Sequence, residues 1–471
     1  MRAWSCCFLF FWAAVPLSIF CIESQRVQCP GSVGIQCSGC QCCPNGCLCP
    51  NAYNCPNMNM CPVSGKACGS GTTTTRPIRP SSTTTTTPKT TFRSTKFQTL
   101  PIGSTDHVYT KATVSTKPGP NPGTYTTAKP PPGTLIFHDD FNTFNLNTWK
   151  HELTLGGGGN WEFEVYHNNR STSYVRDGVL YLKPGLLADF FGTNGENQVR
   201  ATGTLDMWGS SPANLCTGNA FYGCKRQAGG GGNYLNPITS ARLRTAESFT
   251  FKYGRVEVRA KLPRGDWIWP AIWMLPRDNS YGEWPASGEI DIVESRGNIN
   301  YPKESGGGPE SFGTTLHFGP SYLSDPFWKA HKVYSLPRGT FNDDFHTFGF
   351  VWTPDRMYSY LDYDDNRVLD LPMNQDFWSF GAFPKSYSNP WSGSPNKNAP
   401  FDQEYYLLLN VAVGGVSNYF PDGVGGKPWN NHDGNAVNNF YNAKDSQWGP
   451  TWDLKGERSA MQIDSVKVWS L

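Results

Sequence analysis

Three carboxylates within six residues are the part of this sequence best suited to chemistry. Glu289, Asp291 and Glu294 are separated mainly by β-branched residues, which favour a strand. Side chains two residues apart share one face of a strand, so Glu289 and Asp291 point the same way. Glu294 falls one residue outside that alternation. A β-bulge near Ile292 or Val293 would return it to the common face.

The spacing of the two glutamates indicates a class of reaction. About four strand steps of about 3.3 Å put their Cα atoms roughly 13 Å apart, and side chains leaning toward each other bring the carboxyl groups to roughly 6 Å. Retaining glycosidases hold their two carboxyl groups about 5–5.5 Å apart. One glutamate would be the nucleophile and the other the proton donor, while the charge of Asp291 would raise the pKa of a neighbouring carboxyl. A solvated strand face with scattered acids is the alternative, which mutual repulsion disfavours.

Blocks of sequence on both sides of the acidic motif occur in a recognisable order. The motif itself reads WPASGEIDIVESRGN over residues 284–298. From about Ile136 to the C terminus, the chain resembles glycoside hydrolase family 16 in its laminarinase branch, which includes animal β-1,3-glucanases and β-1,3-glucan-binding proteins. The other matching blocks are residues 236–242, 253–260, 269–276, 315–319, 346–352, 409–415, 428–429 and 463–469.

The resemblance implies a fold, an activity and three catalytic roles. The fold is all-β, a concanavalin A-like jelly-roll β-sandwich, and many short strand-like runs split by Gly, Pro, Asn and Asp agree with it. The activity is a retaining endo-β-1,3-glucanase acting on β-1,3-glucan. Glu289 would be the nucleophile, Asp291 its hydrogen-bonding neighbour and Glu294 the general acid/base.

Several residues match positions that line the cleft in this family. Trp284 stands five residues before Glu289, and its indole face would stack on the sugar beside the scissile bond. A buried core tryptophan is the alternative. His317 would line the cleft near the acid/base, although a lone histidine among apolar neighbours is more often structural. Arg242 would hydrogen-bond the glycone sugar, or else be a plain surface charge.

Three tryptophans and one further block complete the predicted binding residues. Trp267, Trp269 and Trp273 alternate, so they share a face if this run is a strand. The family places Trp269 and Trp273 at or under the cleft, with core packing as the alternative for each. The further block that matches cleft-lining positions consists of Tyr166, Asn168, Asn169 and Arg170.

That block departs from the family at one position. Many members carry Asn where this chain has Thr172, so one sugar hydrogen bond is altered or comes from a neighbouring side chain. Asn169, Arg170 and Ser171 also form a glycosylation sequon. A glycan there would obstruct the cleft, so we expect the sequon to be unoccupied.

The chain divides into four regions by composition. Residues 1–24 combine Arg2 with a short apolar run and predict a secretory signal peptide, with an uncleaved anchor as the alternative. Residues 25–69 predict a disulfide-rich module; zinc binding is the alternative, and carbohydrate binding by the module is as plausible as a protective or protein-binding role. Residues 70–131 are a Thr/Pro-rich, O-glycosylated linker, and residues 132–471 are the hydrolase domain. The ten cysteines of the module are Cys29, Cys37, Cys40, Cys42, Cys43, Cys47, Cys49, Cys55, Cys61 and Cys68.

The net charge and a few remaining residues limit which partners and cofactors we expect. A formal net charge of +2 gives no strong electrostatic attraction to nucleic acid or to anionic membrane. We expect a secreted, extracellular monomer that needs no cofactor and no catalytic metal. Asp140 and Asp464 could serve a structural calcium seen in some relatives. Cys216 and Cys224, the remaining cysteines of the mature chain, are expected to pair.

Two other functions compete with hydrolysis of β-1,3-glucan. The first is non-catalytic glucan recognition in innate immunity; such relatives typically lack the glutamates, which are both present here. The second keeps the chemistry and changes the linkage specificity, or transfers the sugar to another sugar. The extra residue in the acidic motif disfavours the lichenase branch, which uses the regular form.

Overall fold

The computed structural model describes residues 41–43, 46–48, 132–208, 216–229 and 232–471. The predicted signal peptide and linker, and most of the cysteine-rich module, lie outside these residues. The chain forms two compact units, Met1–Thr91 and Phe92–Leu471. In the first unit, β1 (Gln41–Cys43) and β2 (Gly46–Leu48) form an antiparallel pair.

Strands dominate the second unit, and its helices are short. The helices are α1 (Leu187–Phe191), α2 (Gly195–Asn197), α3 (Phe377–Gly381) and α4 (Ala436–Asn442). The strands are β3 (Leu135–Asp139), β4 (Lys150–His151), β5 (Glu164–Tyr166), β6 (Ser173–Arg176), β7 (Val179–Leu182), β8 (Gly185–Leu186), β9 (Thr204–Asp206), β10 (Lys225–Gln227), β11 (Ile238–Ser240), β12 (Arg242–Arg244), β13 (Gly254–Lys261), β14 (Ile268–Pro276), β15 (Glu289–Glu294), β16 (Ser311–His317), β17 (His331–Ser335), β18 (His346–Trp352), β19 (Arg356–Leu361), β20 (Arg367–Pro372), β21 (Tyr405–Val413) and β22 (Met461–Trp469).

Two large sheets make up the sandwich. The seven-stranded sheet has the order β17-β16-β15-β14-β21-β12-β4. The eight-stranded sheet has the order β20-β19-β18-β13-β22-β7-β6, with β3 paired to β22. Neighbours within both sheets are antiparallel. Two small sheets, β5-β11-β8 and β9-β10, accompany them.

Alternating side chains explain why these strands form two layers. In β13, Val256, Val258 and Ala260 are buried, whereas the residues between them face outward. In β14, Ile272 and Met274 are buried in the same hydrophobic cluster. Because residues of both sheets join one cluster, the core lies between the sheets.

This architecture is the predicted jelly-roll β-sandwich, so the predicted fold class is confirmed. The predicted pairing of Cys216 with Cys224 is confirmed as well, with a Cα–Cα distance of 5.5 Å. Among the described residues, no helix is both long enough and apolar enough to cross a membrane. The boundaries assigned to the four regions stay predictions.

Candidate active site

The three carboxylates lie on β15, and the predicted bulge is present. The pairing of β15 with β16 shifts register between Asp291 and Glu294, and its pairing with β14 shifts in the same stretch. Ile292 and Val293 are both buried, as two consecutive residues are at a bulge. On β14, Trp273 is opposite Asp291 and Ala271 is opposite Glu294. Because Trp273 and Ala271 are two residues apart and share a face, Glu294 returns to the face of Asp291.

Glu289 receives a hydrogen bond from the predicted sugar-stacking tryptophan. Nε1 of Trp284 donates to Oε2 of Glu289 over 2.8 Å. The indole of Trp284 is 42% exposed, which excludes the alternative of a buried core residue. Its ring centre lies 5.5 Å from that of His317. The hydrogen bond fixes the edge of the indole and leaves much of the ring accessible to a ligand.

Glu294 has an equivalent partner on the neighbouring strand. Nε1 of Trp269 donates to Oε1 of Glu294 over 3.0 Å. Trp269 itself stacks on the ring of Tyr419, with centroids 3.8 Å apart and planes within 4°. Each glutamate therefore accepts one indole N–H, and these bonds restrict where the two carboxyl groups can point.

A guanidinium completes the support beneath Trp269. Arg296 lies 3.9 Å from the centroid of Tyr419, and its Nη2 donates to the backbone oxygen of Tyr419 over 2.6 Å. Arg296 follows Glu294 by two residues. A chain of contacts therefore runs from Arg296, just after β15, through the rings of Tyr419 and Trp269. It ends at the carboxyl group of Glu294, the last residue of β15.

His317 lies between two aspartates. Its Nε2 is 3.3 Å from Oδ2 of Asp291, and its Nδ1 is 2.5 Å from Oδ2 of Asp325. Burial disfavours the charged imidazole, but the negative charge of Asp291 and the hydrogen bond with Asp325 outweigh it and hold the pKa of His317 well above its usual range. The site therefore contains one imidazolium among its carboxylates.

Burial and mutual repulsion keep one proton within the pair of glutamates. Burial, followed by the charge of Asp291, raises the pKa of Glu294 to about 7. The same two causes raise the pKa of Glu289 well above its usual range. Because these groups are close and buried, their protons come off as those of a coupled set. A carboxyl that stays protonated near neutral pH is what a general acid requires.

Arg242 lies on β12, on the same face of the sheet, and its guanidinium forms ion pairs with two glutamates. Its Nη1 is 3.5 Å from Oε2 of Glu152, and its Nη2 is 3.9 Å from Oε2 of Glu162. Its guanidinium also lies 4.7 Å from the ring centroid of Tyr166 and 5.2 Å from that of Trp273. The side chain is only 11% exposed, so Arg242 is not the plain surface charge of the alternative reading.

Tyr166 and Trp273 form the floor beneath Arg242. Nε1 of Trp273 donates to Oδ1 of Asn410 over 2.7 Å, and the amide of Asn410 donates to the hydroxyl of Tyr166 over 3.1 Å. The Tyr166 hydroxyl donates in turn to Glu162 over 3.2 Å. Tyr166 is fully buried, whereas Trp273 is partly exposed. In this arrangement Tyr166 supports Arg242 from below.

Comparison with known proteins connects this geometry to a family. The model of "Glycosyl hydrolases family 16" matches residues 201–404. The chain is also similar to a beta-1,3-glucan-binding protein of Penaeus monodon, with 49% identity over 342 residues that cover 72% of this chain and 90% of that protein. The chain belongs to glycoside hydrolase family 16.

Two further proteins are similar to about two thirds or more of this chain. A glucan endo-1,3-beta-glucosidase of Cryptopygus antarcticus is 32% identical over 326 residues, which cover 68% of this chain and 92% of that protein. The laminarinase catalytic domain of Thermotoga maritima aligns with a TM-score of 0.45 at 24% identity, covering 72% of this chain and 99% of that one. The Penaeus relative is thus named for binding β-1,3-glucan, and the Cryptopygus relative is named as an endo-1,3-beta-glucosidase.

The block that includes Asn169 and Arg170 adopts a turn in this family 16 domain. Oδ1 of Asn169 accepts from the backbone N–H of Ser171 over 2.8 Å, and Thr172 donates its hydroxyl to the Asn169 carbonyl over 3.0 Å. Arg170 lies 4.7 Å from the ring of Phe144. Thr172 is buried, so at this position its hydroxyl closes the turn. Sugar contact by Asn169 and Arg170 stays a prediction.

Trp267 does not follow the predicted alternation of the tryptophans. It precedes β14, has a positive φ of 68° and is 2% exposed. Its ring meets those of Phe420 and Trp429 edge-on, at 5.3 and 5.0 Å. Only Trp269 and Trp273, which lie within the strand, share its cleft face.

Potential metal ligands coincide with the candidate catalytic residues. In the described part of the chain, ligand atoms of Glu289, Asp291 and His317 lie within 4.8 Å of one another. Both nitrogens of His317 face carboxylates, and a protonated imidazole has no lone pair to offer a metal. Of the two residues predicted for calcium, Asp464 lies 3.2 Å from Arg259, and Asp140 accepts from Asn142. Calcium binding stays a prediction.

Sequence reasoning missed residues that act through the predicted ones. Asp325 and Tyr419 contact His317 and Trp269, yet neither stands in a periodic pattern that the sequence reveals. Arg296 was visible in the motif but carried no assigned role. The remaining missed residues, which hold Arg242 and Trp273, are Glu152, Glu162 and Asn410.

Proposed function

We propose that this protein is a secreted, retaining endo-β-1,3-glucanase. The observation that carries the proposal is the presence of two glutamates on one face of a bulged strand, each hydrogen-bonded to an indole N–H. Glu289 accepts from Trp284 and Glu294 accepts from Trp269. Two carboxyl groups held in this way are the minimal equipment of a retaining glycosidase.

In the first step, the form of the pair that carries its proton on Glu294 reacts, and the ionised Glu289 attacks the anomeric carbon of the bound sugar. Its carboxylate oxygen forms a bond to that carbon while the bond to the glycosidic oxygen breaks. Glu294, whose pKa is raised to about 7, gives its proton to the departing oxygen. The products are a shortened glucan with a free hydroxyl and a glycosyl-enzyme ester on Glu289.

In the second step, the carboxylate now present on Glu294 takes a proton from water. The water oxygen attacks the anomeric carbon and displaces Glu289, which regains its negative charge. Two inversions give overall retention of configuration. A sugar hydroxyl in place of water would give transglycosylation by the same route, so the ratio of the two outcomes depends on what occupies the leaving-group side.

Asp291 would help to keep Glu294 protonated, and His317 would help to keep Glu289 ionised. The charge of Asp291 helps to raise the pKa of Glu294, and the imidazolium of His317 partly offsets the negative charge around Glu289. Trp284, more than a third exposed, offers an apolar ring to the sugar beside the scissile bond. The choice of β-1,3-glucan is supported by the names of the Penaeus and Cryptopygus relatives.

The second candidate function is glucan recognition without cleavage. It is favoured by the name of the Penaeus monodon relative, a beta-1,3-glucan-binding protein that is 49% identical. The two candidates differ in one property, the formation of new reducing ends. Both predict binding of β-1,3-glucan, so binding alone does not distinguish them.

Incubation with laminarin, followed by measurement of reducing ends and anomeric NMR of the first products, tests the proposal. We expect new reducing ends in the β configuration. Glu294→Gln should lower kcat about 10²- to 10⁴-fold, and Glu289→Gln should do so at least as strongly. Glu304→Gln, at an exposed residue, is the matched control. Laminarin binding without new reducing ends would favour recognition, and α products would refute retention.

A further inference from the structure

Two exposed aromatic residues lie near Arg242, at one end of the candidate cleft, and are not used by the proposed mechanism. Trp161 is 44% exposed and Phe221 is 40% exposed. Their ring centroids are 5.1 Å apart with an interplanar angle of 61°, an edge-to-face arrangement. They come from segments sixty residues apart in sequence, so the pair depends on tertiary structure.

The backbone holds both residues in an unfavourable conformation. Trp161 has a φ of 52° and Phe221 a φ of 53°, in the left-handed region that bulky side chains rarely adopt. Such residues persist where the surroundings fix them, and they cluster at ligand-binding sites. By contrast, the next residue along the chain, Glu162, is 4% exposed. At Trp161, where φ is positive, the ring faces outward, whereas the carboxylate of the next residue, Glu162, faces inward.

The loop that carries Phe221 is attached to the domain in several ways. The Cys216–Cys224 disulfide closes it. The backbone N–H of Leu155 donates to the oxygen of Gly223 over 2.7 Å, and Thr217 Oγ1 accepts from the backbone N–H of Leu153 over 2.9 Å. The ring of Phe221 is therefore presented by a short loop whose two ends are both fixed.

One arginine links the two aromatic residues. The guanidinium of Arg226 lies 5.7 Å from the ring centroid of Trp161, and its Nη2 donates to the backbone oxygen of Phe221 over 2.8 Å. Its Nη1 donates to Oδ1 of the buried Asn236 over 2.5 Å. The cation covers part of the Trp161 ring, yet 44% of the residue stays exposed and accessible to a ligand.

The pair is continuous with the candidate cleft through Glu162. Oε2 of Glu162 lies 3.9 Å from Nη2 of Arg242 and accepts from the hydroxyl of Tyr166. Arg242 is on β12, which is three strands from β15 in the sheet order. Three spacings of about 4.8 Å correspond to about 14 Å. A polysaccharide lying across the strands from Glu289 toward Arg242 would approach Trp161 next.

We propose that Trp161 and Phe221 form an additional platform that binds β-1,3-glucan units beyond Arg242. The choice of ligand rests on the proposed function, because the platform extends the same cleft. Flat apolar rings suit the C–H faces of pyranose sugars. The platform would add affinity for long chains while leaving the binding of short ones at the catalytic residues unchanged.

Equilibrium binding of laminarihexaose and laminaribiose by isothermal titration calorimetry tests this proposal. The full-length protein carrying Glu289→Gln serves as the background, so that substrate is not consumed. Adding Trp161→Ala or Phe221→Ala should weaken hexaose binding by roughly three- to tenfold and leave biose binding unchanged. Trp161→Tyr should restore most of the loss. Tyr363→Ala, at a 77% exposed residue between β19 and β20, is the control.

The outcomes separate the platform from the hydrolase. If the unsubstituted protein releases no reducing ends from laminarin but hexaose binding still depends on Trp161, the platform stands and the hydrolase proposal fails. Hydrolysis with unchanged hexaose affinity in both variants overturns the platform alone. An equal loss for hexaose and biose, or no hexaose binding by the background protein, also overturns it. If Trp161→Ala unfolds, as judged by circular dichroism, the comparison of Trp161→Tyr with Trp161→Leu gives the same decision.

Discussion

Oδ2 of Asp325 lies 2.5 Å from Nδ1 of His317, on the opposite side of the imidazole from Asp291. Asp325 also accepts the backbone N–H of Phe318 over 3.2 Å, so its own position is fixed. Asp325 therefore fixes one nitrogen of the imidazole, and the other nitrogen lies 3.3 Å from Oδ2 of Asp291, the central aspartate of the candidate site. Asp325 is a positioning residue in the proposed mechanism.

Asp325→Asn should lower the pKa of His317, because the substitution removes one of the two carboxylates that stabilise its charged form. A pKa raised in the folded state contributes stability below the unfolded value of about 6.5 and loses it as pH rises through the folded value. The variant should therefore lose more stability at pH 5 than at pH 9. NMR titration of the imidazole and urea denaturation at both pH values provide the measurements.

Asp362→Asn is the matched control for that experiment. Asp362 pairs with His346 over 2.8 Å on the eight-stranded sheet, away from the candidate catalytic residues. It should leave the titration of His317 and the hydrolysis of laminarin unchanged. An Asp325→Asn protein with an unaltered His317 titration would contradict the assigned role.

The activity should fall as pH rises through about 7, since the pKa of Glu294 is raised to about that value and its protonated form is the proposed acid. Asp291→Asn removes the charge that contributes to this rise. The alkaline limb of kcat/KM should then move to lower pH, in addition to any loss of rate. The pH dependence of laminarin hydrolysis checks both statements.

Asp370→Asn serves as the comparison for the pH profile. Asp370 pairs with Arg356 on the eight-stranded sheet, whereas β15 belongs to the seven-stranded sheet. Its substitution should leave the alkaline limb in place. If the alkaline limb of kcat/KM does not move in Asp291→Asn either, a group other than Glu294 determines the pH profile.

The parts of the site that follow the two-residue alternation of a strand could be predicted from the sequence. The bulge at β15 followed from one carboxylate standing out of a two-residue alternation, and the register of β14 and β16 confirms it. Trp269 and Trp273 share a face because both lie within one strand. The same rule was wrong for Trp267, which precedes β14 and has a positive φ that breaks the alternation.

Contacts made by loops could not be predicted from the sequence. Tyr419 follows β21 and reaches Trp269 only because the loop folds back over the sheet. Glu162 and Arg242 are eighty residues apart, and their contact depends on how the segment before β5 crosses the end of the sheet. Neither contact leaves a signature of spacing or composition, whereas the fold class depends on many strands and was predictable.

Removing the ring of Tyr419 should disturb Glu294 through Trp269. Tyr419→Ala takes away the surface on which Trp269 stacks, and we expect kcat to fall by about ten- to a hundredfold because the indole N–H loses its fixed direction. Thermal unfolding should show a loss of stability of about 1–3 kcal/mol, because the ring is packed but the residue is only partly buried. Steady-state kinetics on laminarin and calorimetry are the measurements.

Tyr419→Phe separates the ring from the hydroxyl. Within the described residues, the buried hydroxyl of Tyr419 has no hydrogen-bond partner. An unsatisfied buried hydroxyl costs about 1–3 kcal/mol, so its removal should leave stability unchanged or raise it. Kinetics close to those of the unsubstituted protein would support the stacking role. A loss as large as that of Tyr419→Ala would instead show that the hydroxyl, and not only the ring, is needed to position Trp269.

The Cys216–Cys224 disulfide should stabilise the domain modestly and the aromatic platform strongly. For a sequence separation of 8 residues, loop closure is worth about 2–3 kcal/mol in the chain-entropy model. Replacing both cysteines with serine should lower the free energy of unfolding by about that amount in urea denaturation. Because Leu155 still bonds Gly223, the loop should stay attached while Phe221 gains freedom. The double variant should therefore resemble Phe221→Ala in hexaose binding while it hydrolyses short oligosaccharides at the original rate. A lower rate on short oligosaccharides would mean that the loop also supports Glu289 and Glu294.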